Sequence, residues 1–241
     1  MNLSGKTVLV TGGARRIGRA ISLAIAEAGG NVIVHHNHSP AAAEETRQEI
    51  LHMGREAWVF QADLEDPAQA DSLMDAAARV ATLDGLVNNA AIFSSGDAMS
   101  TTLETWQQHL AVNLTAPFLL SQAFARNLKD SSDGRILNIL DWRALRPGAD
   151  HFAYTISKAA LAAMTQSLAI TLAPRIQVNG LAFGAILPPA DGGSTGGILA
   201  SIPAGRWADL REVVQSVVFL LSGPSYITGE IVHLDGGRHL V

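Results

Sequence analysis

The feature that most constrains this chain is an alternation. Seven short runs rich in β-branched residues, KTVLVT (6–11), NVIVHH (31–36), EAWVFQ (56–61), DGLVNN (84–89), RILNIL (135–140), IQVNGLA (176–182) and EIVHLD (230–235), are separated by longer segments with helical spacing at 16–28, 41–53, 68–82, 103–129, 152–173 and 210–222. Strands that are apolar on both faces and separated by helices specify βαβ units, hence a parallel sheet covered by helices on both sides. The pattern predicts one doubly wound α/β domain of seven strands over residues 1–241. With 48% hydrophobic and 16% charged residues, the chain has enough apolar surface for a large core. One Gly/Pro-rich stretch, GAILPPADGGSTGGILASIPAG (184–205), breaks the pattern. A loop of that length inside a compact domain is either disordered or a lid over a site, and a lid is the expectation.

Several function classes drop out early. Net charge is −5 with no basic block, which argues against a nucleic-acid partner. There are no cysteines, so disulfides, thiolate metal sites and cysteine nucleophiles are excluded together. No apolar run approaches the about 18 residues a membrane span needs, and the start, MNLSGKTVLVTGG, reads as a first strand rather than a signal peptide. A cytoplasmic protein without a membrane partner is the expectation.

VLVTGGARRIG (8–18) sets a glycine-rich turn, with Gly12, Gly13 and Gly18, between the first strand and the first helix. Such a turn lets a pyrophosphate approach backbone amides at a helix N-terminus, where the dipole favours anions. The spacing does not match G-x-G-x-x-G, so the signal comes from its position between strand and helix. An acid that reads the ribose of NAD is expected at the end of the second strand. This chain instead reads VIVHHNHSP, with no acid before Glu44. His36, Asn37, His38 and Ser39, together with Arg15 and Arg16, suit a 2′-phosphate, which points to NADP(H). A solvated loop is the plainer reading of the three histidines. A metal site is not expected, because His35 and His36 point to opposite faces of an extended strand.

Two further features carry chemistry. RILNIL ends at Asp141, a carboxylate at the tip of an apolar strand, which serves either as a cap on local amides or as a group that handles protons. Arg143 or Arg146 can neutralise it. In FAYTISKAAL, Tyr154 and Lys158 stand four apart at the start of a helix and project from one face. A tyrosine is a weak acid, with a free pKa of about 10, and a nearby ammonium is expected to lower it.

TGGARRIG, Asp63-Leu64, NNAA (88–91), Asn113 in AVNLTAPFLL, YTISK and the ending ITGEIVHLDGG together resemble the short-chain dehydrogenase/reductase superfamily, in order and over essentially the whole chain. The resemblance implies a Rossmann-type sheet, a nicotinamide cofactor and a Tyr/Lys active site. It makes Tyr154 the proton donor, Lys158 the residue that holds the nicotinamide ribose, and Asn113 part of a proton-relay path. It also implies cofactor contacts at Gly12, Ile17 and Gly18, at Asp63 and Leu64 around the adenine, at Asn89, Ala90 and Ala91, and at Gly184 and Ile186 beside the nicotinamide. Family members are usually tetramers built on the two long helices, so a homotetramer is implied. The tail at His239–Val241 is then placed to reach a neighbouring subunit.

The departures narrow this further. Asp141 stands where the family has a serine that hydrogen-bonds a substrate carbonyl, Arg16 replaces the middle glycine of the turn, and Phe93 follows NNAA. These three, with HHNHS, resemble the pteridine reductases, including bacterial dihydromonapterin reductases. That resemblance implies an NADPH-dependent reduction of a dihydropterin C=N bond. The pterin would lie between Phe93 and the nicotinamide, with Arg16, Asp141 and Tyr154 also at the substrate. Core packing is the plainer role for Phe93, and Trp142 and Trp207 either line the pocket or fill it. Two positions differ from these relatives: Ala91, where parasite enzymes carry a pterin-bonding serine, and Phe183, where the superfamily has proline before glycine. The rival readings are a carbonyl or alcohol oxidoreductase of the 3-oxoacyl reductase type, which calls for a serine at 141, and a non-catalytic nucleotide sensor, which has no use for Tyr154 and Lys158.

Overall fold

The computed structural model describes residues 2–129, 132–187 and 197–241, and within them the alternation becomes a single seven-stranded sheet. Its strands are β1 Thr7–Val10, β2 Asn31–His36, β3 Ala57–Gln61, β4 Gly85–Asn88, β5 Gly134–Asp141, β6 Ile176–Phe183 and β7 Ile231–Leu234. The helices are α1 Arg16–Glu27, α2 Pro40–His52, α3 Pro67–Val80, α4 Leu103–Leu110, α5 Ala116–Asn127, α6 Phe152–Leu172 and α7 Leu210–Ser222. All six pairings are parallel, in the order β3-β2-β1-β4-β5-β6-β7.

The two-residue period of each strand divides the core. Val8, Val10, Val32 and Val34 face one layer and meet Ile21 and Ile25 of α1, in a cluster that also takes in Val213 and Val217 of α7. Leu9, Ile33 and Leu86 face the other, with Leu73 and Met74 of α3 and Leu120 and Phe124 of α5. These side chains are essentially fully buried, and each contributes roughly 1.5–3 kcal/mol of transfer free energy. That is why the strands read as unbroken apolar runs. Among the described residues, no helix is long and apolar enough to cross a membrane.

The segment 103–129, expected as one helix, is interrupted. Residues Ala111–Thr115 form a π-helical turn between α4 and α5. The cause is Pro117: it has no N–H to give the carbonyl of Asn113, four residues earlier, and its ring crowds that carbonyl. The helix widens there instead of ending. Strand order reverses between β1 and β4, and this opens a crevice at their carboxyl ends.

Candidate active site

The first wall of the crevice is backbone. β1 leaves the sheet through Thr11 and Gly12, and the chain turns into α1. Gly12 has φ +61°, the left-handed region that favours glycine. A Cβ on Gly18 would stand 2.0 Å from the Gly12 carbonyl oxygen, so only glycine fits there. Arg16 holds φ +51° without being glycine, a conformation that costs about 1–3 kcal/mol and concentrates at functional sites. The first turn of α1 carries no acidic residue and no side-chain cap, so its dipole favours an anion there.

Two side chains hold this turn in roles the sequence did not assign them. His35 Nδ1 accepts from Gly12 N at 3.0 Å while its Nε2 meets the Ala62 carbonyl at 3.0 Å. Burial pushes His35 down to about 4, so it stays neutral with one fixed tautomer. Thr11 Oγ1 accepts from the amides of Asn89 and Ala90 at 2.9 and 3.0 Å, and Asn89 Nδ2 returns a bond to the Thr11 carbonyl at 2.8 Å.

The cavity over this turn measures about 590 Å³, within the range of small-molecule sites. Gly12, Arg15, Arg16, Ile17 and Gly18 line one side. Asn37, His38, Asp63 and Leu64 line a second, and Asn89, Ala90, Ala91 and Phe93 a third. Asn37 Nδ2 donates to Asp63 Oδ1 at 3.2 Å, tying β2's end to the segment after β3.

Several expected site residues are not in the lining, among them Asn113, Asp141, Tyr154 and Lys158. His36 is buried on the opposite face of β2, as the two-residue alternation requires, and His35 takes the cavity side. The solvated-loop reading is thus corrected for both of these histidines. Ser39 sits just before α2. Gly184 continues the sheet by donating to the Leu234 carbonyl at 3.0 Å. Ile186 is apolar and buries itself in the core layer that includes Val213 and Val217 of α7. Of the expected lid, residues 188–196 lie outside the described residues.

Past Phe93, which meets Tyr154 edge-on, stands a second group of side chains at the end of β5. Asp141 is the last residue of β5, and its two oxygens have different partners. Oδ1 accepts from Arg143 N at 2.9 Å as a strand-end cap, and Oδ2 accepts from the Tyr154 hydroxyl at 3.3 Å. Arg143 Nη1 stands 3.8 Å from Oδ1 and is the neutralising arginine; Arg146 instead donates to the Arg238 carbonyl. Burial raises the Asp141 pKa, against the pull of Arg143 and Lys158. Lys158 is buried, donates from Nζ to the Ile139 carbonyl at 2.7 Å, and is pushed down to about 8 by burial.

The expectation that Lys158 lowers the tyrosine's pKa is corrected. Burial, then the Asp141 charge, raises Tyr154 well above its ordinary value. With Nζ 5.9 Å from the ring centroid and turned to a carbonyl, the ammonium does not offset them. Tyr154 therefore keeps its proton.

Asn113, on the π-helical turn, donates to Ser157 Oγ and to the Ile92 carbonyl at 3.0 Å each, and accepts from Ile92 N at 2.9 Å. It clasps the segment after β4 to α6. Phe93, carried by that segment, is 56% exposed, which rules out the core-packing role. Its ring stacks on His151 at 3.9 Å and meets Tyr154 edge-on at 4.6 Å. His151, with φ +52° before α6, is a third residue the sequence did not reveal.

A family model described as "Enoyl-(Acyl carrier protein) reductase" matches residues 12–239. A 3-oxoacyl-[acyl-carrier-protein] reductase from Synechocystis sp. is 33% identical over 98% of this chain and 97% of its own. The corresponding reductase of Escherichia coli is 34% identical over all of both. Among solved structures, the FolM alternative dihydrofolate reductase 1 of Brucella canis, complexed with NADP, superposes with a TM-score of 0.92 at 37% identity, over 100% of this chain and 97% of its own. A short-chain dehydrogenase from Burkholderia cenocepacia, in complex with NADP, gives 0.92 at 36% identity over 99% of each chain.

Proposed function

This chain belongs to the short-chain dehydrogenase/reductase superfamily, and we propose that within it the protein reduces a C=N bond of a dihydropterin or related pteridine with NADPH. The coarser statement, an oxidoreductase that uses NADP(H), follows from the family and from the NADP-bound neighbours. The residues present fit that cofactor: an uncapped helix N-terminus for the pyrophosphate, Arg15, Arg16 and His38 for a 2′-phosphate, and a glycine at 18 where a Cβ would block the turn. When bound, NADPH supplies the hydride.

The observation that carries the pteridine reading is the carboxylate of Asp141 at 3.3 Å from the Tyr154 hydroxyl. A carbonyl reduced here would develop its alkoxide beside that carboxylate. Two like charges about 4 Å apart cost roughly 1–4 kcal/mol between bulk-water and surface dielectrics, or about tenfold to a thousandfold in rate. A pteridine ring turns the same charge to advantage, because its amino and ring N–H groups are donors. Tyr154, kept protonated, holds the proton that the ring nitrogen next to the reduced carbon takes up. Asp141 orients that hydroxyl, and Phe93 offers an exposed face for a flat ring. The name of the Brucella canis relative supports this reading.

A second reading, 3-oxoacyl reduction, is favoured by the names of the curated relatives. The upward shift of Asp141 supports it too, since a protonated carboxyl can donate to a carbonyl oxygen as a serine does. Following NADPH oxidation with dihydropterins beside 3-oxoacyl thioesters separates the two. Pterin turnover is expected. Turnover of 3-oxoacyl substrates alone, rising as pH falls, would establish the second reading instead.

A further inference from the structure

Beyond Asp141 lies a row of stacked groups that the reaction above leaves unused. Arg143 Cζ is 5.9 Å from the centroid of the Phe93 ring and 4.8 Å from that of Trp142. Arg238 Cζ is 4.3 Å from the same Trp142 ring. Arg238 comes from the far end of the sequence and is anchored there. After β7 the chain turns at Gly236 and Gly237, both at positive φ, and Asp235 accepts from the amides of Gly237 and His239 at 2.9 and 2.8 Å. Arg146 then donates to the Arg238 carbonyl at 3.3 Å.

The charges along this row are unequally matched. Arg143 has Asp150 at 2.9 Å and Asp141 at 3.8 Å. Arg238 has no ion pair among the described residues. Asp141, Asp150 and Asp235 act on it only through space, and its buried Nε has no acceptor. Stacking on an indole restrains a guanidinium by its face and leaves its N–H edge to bond. A planar fork held in that way matches a carboxylate bidentately.

We infer that Trp142 and Arg238, reached from Phe93 past Arg143, form a subsite for a carboxylate on the substrate's tail. The preferred pteridine then carries an acidic side chain rather than an uncharged one. The inference rests on the pteridine reading and deepens it: the ring lies at Phe93 and Tyr154, and the tail follows the row to Arg238.

The test compares kcat/KM for dihydrofolate, whose tail ends in carboxylates, with that for dihydrobiopterin, whose side chain is uncharged. Both are measured in the wild-type protein and in Arg238→Gln. Loss of one charge-assisted contact should lower the dihydrofolate-to-dihydrobiopterin ratio about tenfold, mainly through KM for dihydrofolate. Arg238→Lys keeps the charge without the fork and should give an intermediate ratio, and it carries the test if Arg238→Gln does not fold. An unchanged ratio overturns the subsite while leaving pteridine reduction standing. Failure of the wild-type protein to reduce either compound removes the pteridine reading and the subsite with it.

Discussion

At the end of β1 the crevice is walled by main chain: Gly12 and Gly18 pressed together, a start of α1 without a side-chain cap, and a turn clamped by His35 and Thr11. At the end of β5, past Phe93, the second wall is a group of buried ionisable side chains, Asp141, Tyr154 and Lys158, each shifted by desolvation. The first wall depends on what is missing from a glycine, and its ligand is any anion of the right size. The second depends on which side chain stands at one position, and in the proposed reaction a single exchange there is expected to alter which substrate is tolerated. A fold can therefore hold its cofactor site fixed while its chemistry varies at a strand tip.

The widest separation between the walls should come from Tyr154→Phe. It is expected to lower pterin kcat by about 10²–10⁴, while the Kd for NADPH, read by calorimetry, stays within a few-fold of wild type. A parallel loss of NADPH binding would show that the walls are one unit.

His35 links the first wall to pH. Its pKa is about 4 in the folded chain against 6.5 unfolded, so between those values the unfolded state binds more protons. The contribution is complete above pH 6.5 and is lost as pH falls toward 4, on the order of 3 kcal/mol. Urea unfolding across that range should show the slope, and His35→Gln should flatten it. A variant that keeps the full slope would place the titration elsewhere.

Gly18→Ala is the smallest of these. The added methyl meets the Gly12 carbonyl, so a loss of about 1–3 kcal/mol is expected, together with weaker NADPH binding. Intact NADPH affinity in this variant would contradict a main-chain cradle.

The contrast also governs what the sequence discloses. The strands were legible to within two residues because burial on both faces leaves an unambiguous apolar run, and the glycine turn because of its position between the first strand and the first helix. The π-helical turn at 111–115 was signalled by Pro117 inside a helical pattern, yet the pattern alone does not say whether the helix ends or widens. Nothing local distinguishes His35 from His36 as the cavity residue; the pleat of β2 decides it. Thr11 lay within the recognised motif but acts on amides 78 and 79 residues away. His151 and Arg238 reach the second wall only through tertiary contacts. Asp141 was legible as a departure, whereas the upward shift of Tyr154 required its burial to be known.

In the proposed reaction Asp141 sets the substrate class, and exchanging it puts that role to the test. The measurement is kcat/KM with NADPH for a dihydropterin and for a 3-oxoacyl thioester, in wild type and in Asp141→Ser. Wild type is expected to prefer the pterin, and the ratio to fall by about tenfold to a thousandfold in the variant. A ratio that does not move, or a wild-type preference for the ketone, would contradict it.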